Sequence, residues 1–553
     1  MPHRPAPVRA GLALAVSLLS TPAAADTLVV AARILTPDGP VTAMRIGADG
    51  RIAQLGAAAA LTAEHAALPV ADLEDGTVLP GLIDAHGHLM TLGFALLSTD
   101  LVGADSVAEV VARLQRFEQG LPDGAWLLGR GWDQNRWPGQ AFPTAADLDA
   151  AFPGRPVWLE RIDGHAGWAN SAAMALVERD LSGDWQPNGG RILRDGEGNA
   201  TGVFIDRAAA LVDARMPAPD LALRRRALEL ALAEAARLGL TGVHDAGVSL
   251  DTLKLMQSLA DAGRLPIRVY AMADGDAAAL DWLCSNGLYA HPDGRLQMRA
   301  VKLYMDGALG SRGAALLEDY SDDAGNRGLL VTGVEQVEAA VAKAVRCGVQ
   351  ANTHAIGDRG NRIVLDAYER LLPEADRAGR RFRIEHAQIV APEDLPRFAQ
   401  LGVIASMQPI HATSDMPWAA ARVGADRLRG AYAWQVLLGS GARLAFGSDF
   451  PVEPVSPWFG IHAAVTRQDA AGKPPGGWLP GQRVDLATAL RGFTLDAAWA
   501  GFAEADVGAL AVGKRADFIV VDADPATLAP AALRSVVVRS TWVDGNRVYP
   551  LVN

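Results

Sequence analysis

The chain has 553 residues, half of them hydrophobic, and its 51 basic and 63 acidic side chains give a net charge of −12. That length provides for a sizeable core and for more than one domain. The acidic balance, with no basic run to offset it, excludes a nucleic-acid partner, because phosphate binding needs a positive surface.

Residues 1–25 form a unit of their own. MPHRPAPVR carries two arginines, GLALAVSLLS is a short apolar run, and TPAAAD supplies small residues at Ala23 and Ala25. This pattern reads as a secretory signal cut after Ala25 and predicts an exported protein, periplasmic or secreted. The run is too short to span a bilayer, and no later uninterrupted run is long enough, so no membrane span is expected. Residues 26–80 alternate in hairpin fashion around a DG turn, and residues 501–553 have the same texture. Neither end has enough strands for a core alone, which predicts one small β-sandwich built from both.

In GLIDAHGHLM, His86 and His88 stand one residue apart at the end of an apolar run. Residues i and i+2 of a strand point to the same side, so the two rings converge. Two converging neutral imidazoles suit a divalent metal, though solvated histidines at a strand end give the same pattern. Residues from about 110 to 215 are rich in Trp, Gly and Pro, and predict an ordered insertion that caps a site, with Trp132, Trp137 and Trp168 lining it or packing its core. From there on, apolar strands alternate with helical stretches. The strands are GLTGVHDAG (239–247), PIRVYAMA (266–273), MRAVKLYMDG (298–307), GVQANTHAIGD (348–358), RFRIEHAQ (381–388), GVIASMQP (402–409) and RLAFGSDFPVEP (443–454). With the strand that ends at His86 they number eight, which makes residues 81–500 an α/β fold, a (β/α)8 TIM-type barrel.

His86, His88, His244, Lys302, His354, His386 and Asp449 all fall at the C-terminal ends of these strands, the catalytic face of such a barrel. His86, His88, His354 and His386 supply neutral nitrogen donors with no cysteine in competition, which suits Zn2+ or a similar divalent ion. Lys302, flanked by apolar residues, points into the barrel, where burial lowers its pKa. There it either pairs with Asp306 or another carboxylate, or stays neutral and captures carbon dioxide as a carbamate. Asp449 is placed to touch both an ion and its water. Of the two cysteines, Cys284 and Cys347, a single bridge is hardly needed in a domain this large, so they are expected to be unpaired.

These motifs, with GRGWDQNRWP, DGHAGWANS, VKLYMDGALGSRGA and NTHAIGDRG, resemble the amidohydrolase superfamily over nearly the whole length beyond residue 25. More narrowly, the chain is similar to amidohydrolase family 3, the group to which N-substituted formamide deformylase belongs. The resemblance implies that His86, His88, His354 and His386 are metal ligands. It implies that Lys302 is a bridging N6-carboxylysine and Asp449 the catalytic aspartate, with one or two ions bound. His165 then faces substrate or has a structural role; Arg312 and Asp306 position substrate or brace the ligands. No metal role is implied for His244. The expected reaction is hydrolysis of a non-peptide, amide-type C–N bond in a small molecule by a water activated on the ion. Deamination and lactone or phosphoester cleavage use the same site and stay open. A metal-scavenging protein would not need the aspartate, and a sugar- or peptide-binding module would not need these ligands. A homodimer is the default assembly.

Overall fold

The computed structural model describes residues 26–550 apart from Asp123 and Asp276, so the expected secretory signal lies outside the described residues. Eight parallel strands form the barrel wall in sequence order: Leu82–Gly87, Leu240–Val248, Arg268–Asp274, Leu296–Tyr304, Gln350–Ala355, Arg383–His386, Ile404–Met407 and Leu444–Phe446. They are the eight segments expected from the apolar runs. The first and eighth meet beyond their ends: Asp449 N–H donates to His86 O at 2.7 Å and His88 N–H to Phe450 O at 2.9 Å. Glycine makes this closure possible, since a Cβ on Gly447 would lie 2.5 Å from His86 N.

Helices cover the wall because their apolar residues recur on one face. In Val334–Cys347 the buried residues are Val337, Val341 and Ala344, one stripe of the helix. Gly348, at φ +77°, ends it in the left-handed conformation that favours glycine and turns the chain into the fifth strand. The helix also carries Cys347 to Cys284 on Ala277–Asn286, and the two form a disulfide across 63 residues. The expectation of unpaired thiols is thereby corrected. The size of the domain says nothing about whether neighbouring helices bring two sulfurs together.

Both chain ends build one sheet domain, as the alternation predicts. Its eight strands form one continuous sheet in which Phe518–Val521 pairs antiparallel with Thr77–Pro80, joining the C-terminal strands to the N-terminal ones. The sheet curls: Ile52 N–H donates to Lys514 O and Gly513 N–H to Ile52 O, both at 2.8 Å. The insertion is a domain in its own right, a six-stranded sheet running from Thr99 to Asp206, which begins earlier than the expected 110. Its two apolar clusters are its own. Among the described residues, no helix is long and apolar enough to cross a membrane.

Candidate metal centre

His86, fully buried at the end of the first strand, donates from Nδ1 to Glu385 Oε2 at 2.5 Å. His88, just past the strand, donates from Nδ1 to Ala246 O at 2.8 Å. His386, the last residue of the sixth strand, donates from Nδ1 to Gln408 Oε1 at 2.9 Å. Each Nδ1 therefore carries a proton, and in the neutral ring the lone pair sits on Nε2. Ring centroids lie 4.8 Å apart for His86 and His386, and 4.6 Å for His386 and His354. Lys302 Nζ stands 3.1 Å from His86 Nε2.

Asp449 arrives from the eighth strand with φ +63°, and His386 has φ +77°; both are left-handed conformations that cost non-glycine residues energy and cluster at functional sites. Asp449 Oδ1 lies 3.0 Å from His88 Nε2 and 3.5 Å from His86 Nε2, while Oδ2 lies 3.3 Å from His411 Nε2. Burial pushes the Asp449 carboxyl up, yet the imidazoles around it, His411 foremost, hold it well below the usual carboxylate range. Burial drives the His386 and His354 imidazoles well below their usual value and His86 down to about 4, with Lys302 adding to the effect on His86. Burial also brings Lys302 down to about 8. His411 goes the other way: despite its burial, hydrogen bonds to Asp449 and Glu453 raise it to about 10.

This donor set fits a divalent cation. His86, His386 and Asp449 each offer one ligand atom, and those atoms lie within 4.8 Å of one another. Among the described residues Asp449 Oδ1 is buried without a hydrogen-bond partner, with His88 Nε2 and His86 Nε2 at 3.0 and 3.5 Å; a ring whose one proton is on Nδ1 turns a lone pair toward it. Lone pairs facing a buried anion repel unless positive charge lies between them.

The other expected residues fall in two sets. His354 and Lys302 are buried in the same assembly. His165, from the insertion, comes within 5.3 Å of His354 between ring centroids, and its Nδ1 donates to Asp206 Oδ1 at 2.6 Å. Trp132 belongs elsewhere: it is fully buried in the insertion's core against Trp137 and Trp168, with Nε1 donating to Leu159 O. Its ring is enclosed there, with the Arg161 guanidinium carbon 6.0 Å from its centroid. Asp306 is likewise no substrate contact: fully buried, it accepts backbone N–H bonds from Ala315, Ile356 and Gly357 and so braces two loops beside His354. Arg312 directs Nε and one terminal nitrogen to Asp322, each at 3.1 Å. His244 accepts from Arg383 at 3.0 Å. The sequence reading passed over His411, Glu385 and Asp206. Glu385 stands next to His386 in RIEH and His411 follows the seventh strand in QPIHA, so nearness to a strand end was the available signal.

A family model described as "Amidohydrolase family" matches residues 69–549. Protein LONG AFTER FAR-RED 3 of Arabidopsis thaliana is 33% identical, over 95% of this chain and 92% of its own. N-substituted formamide deformylase of Arthrobacter pascens is 30% identical, over 94% and 97%. The crystal structure of an uncharacterized metal-dependent hydrolase of Pyrococcus horikoshii OT3 superimposes with a TM-score of 0.74 at 29% identity, covering 92% of this chain and 99% of that one. The chain belongs to the amidohydrolase family and is a metal-dependent hydrolase.

Proposed function

We propose that the chain hydrolyses a non-peptide, amide-type C–N bond in a small molecule. The observation that carries this reading is the convergence of His86, His386 and Asp449 with lone pairs turned on one point. Those three residues, with His88 and His354 beside them, would hold one or two divalent ions, with zinc the best match to imidazole and carboxylate donors. Such an ion supplies a Lewis acid that brings a water's pKa toward neutrality and polarises a carbonyl. The chain's own contribution is proton handling and orientation. Asp449, ionised at neutral pH, accepts the proton from the attacking water and delivers it to the departing nitrogen. His411 holds the Asp449 carboxylate from the opposite side through Oδ2. Burial of the ligands excludes bulk water and strengthens every charge interaction there.

Lys302 is read as a carboxylysine. Its Nζ, once uncharged, adds to carbon dioxide: an N–C bond forms and one proton leaves, giving an anion able to join two ions. Complete burial supports this. So does Asn352, its partner in the strand ladder, whose buried amide has no hydrogen-bond partner among the described residues. Export is proposed from the pattern of residues 1–25, and the Cys284–Cys347 disulfide suits an oxidising compartment. The amide-type substrate is supported by the likeness to N-substituted formamide deformylase. A screen of formamides, N-acyl amines, cyclic amides, lactones and aminated rings on the zinc-loaded protein tests it. Release of free amine from the acyl substrates is expected; turnover of lactones or rings alone would overturn it.

A further inference from the structure

Resting on that reading of the site, we propose that Glu385, locked by Arg383, is the residue that fixes the tautomer and orientation of His86, so that its Nε2 presents a lone pair to the cation.

Three observations converge on this. Glu385 is fully buried, with Oε2 2.5 Å from His86 Nδ1 and Oε1 2.7 Å from Arg383 Nε. A carboxylate only accepts, so Nδ1 must carry the ring proton and the lone pair must lie on Nε2, which faces Asp449. Glu385 in turn has no freedom to move. Arg383, also fully buried, spends its remaining donors on His244 Nδ1 at 3.0 Å, Ser406 Oγ at 2.7 Å and Ala85 O at 2.5 Å. Ala85 is the residue before His86, so one guanidinium sets both the backbone and the ring of that histidine. The acceptors sit on the first, second, sixth and seventh strands, and the pair ties four strands together across the barrel.

This arrangement also accounts for His244. Burial and the neighbouring Arg383 push its imidazole well below the usual value, and it serves as a neutral acceptor for that arginine. Gly501 leaves it room, since a Cβ there would lie 2.6 Å from His244 Nε2. A buried Arg–Glu pair is costly to desolvate; here a terminal nitrogen of Arg383 also donates to Glu385 Oε2 at 3.1 Å, and the pair holds a ligand in one state.

Cobalt(II) titration tests the proposal without any substrate. Glu385→Asp keeps the charge for Arg383 but shortens the reach to His86; it should lower cobalt affinity about 10- to 100-fold and shift the visible cobalt spectrum. Glu229→Asp, the same shortening of a carboxylate that pairs with Arg264 outside this network, should leave both readouts within about twofold of the wild type. Equal affinity and spectra for Glu385→Asp and the wild type would overturn the proposal. Should Glu385→Asp fail to fold, nitrogen-15 spectra of histidine-labelled wild-type protein decide: His86 protonated on Nδ1 supports it, and His86 protonated on Nε2 refutes it. Loss of hydrolysis in the substrate screen with these results intact would sink the reaction class and leave the Glu385 assignment standing.

Discussion

At the scale of single residues, the site works through which atom carries a proton. Asp449 is ionised because imidazoles surround it, and Asp449→Asn removes the acceptor while keeping the shape. Turnover should fall by about 10²- to 10⁴-fold. Zinc content, measured beside kcat, should change far less than the rate; full activity in the variant would end the proton-transfer role. Trp132 makes the opposite case. Trp132→Ala should cost about 3–5 kcal/mol of stability in the insertion, seen in denaturant unfolding. A large rise in KM with unchanged stability would mean the ring meets substrate after all.

At the scale of elements, the ends of strands do the positioning. Gly447→Ala pushes a Cβ to 2.5 Å from His86 N and 2.6 Å from Asp84 Oδ1, so the first and eighth strands must part. Joint loss of bound zinc and of turnover is expected, and wild-type values for both would show that the closure tolerates the extra carbon. The eight strands were legible in the sequence because each is an apolar run that stops at a polar residue. Glu385 was not legible, and the reason is local. Alternation puts neighbours on opposite faces, so RIEH assigns the inside to Glu385 or to His386 but not to both. The left-handed backbone at His386 and Ala387 breaks the alternation, and both residues reach the interior. His411 and Asp206 were hidden because no spacing links them to the residues they touch. The insertion's sheet was missed because its strands are short, several carry glycine, and Gly- and Pro-rich connections separate them.

At the scale of the whole molecule, the barrel and the end-built sheet are joined by charge. Arg268, on the third barrel strand, directs Nε to Asp517 Oδ2 at 2.7 Å and also pairs with Asp544, while Arg295 and Arg515 reach Asp544 at 2.9 and 2.7 Å. Burial pushes the Asp544 carboxyl up, but Arg268, Arg295 and Arg515 hold it below its ordinary 3.8. A carboxyl lowered in the folded state adds stability that is fully present above the unfolded value and is lost as pH falls through the folded value. Asp544→Asn should therefore destabilise the protein by about 3 kcal/mol at neutral pH, with the difference shrinking below pH ~4. A difference that persists in acid would contradict this account. The central claim is that side chains from distant strands gather one cation for hydrolysis. Metal analysis of the purified protein and of His386→Ala measures it most directly. Zinc at one or two equivalents per chain, falling sharply in the variant, is expected; a metal-free wild type after zinc loading, or equal zinc in both proteins, would contradict it.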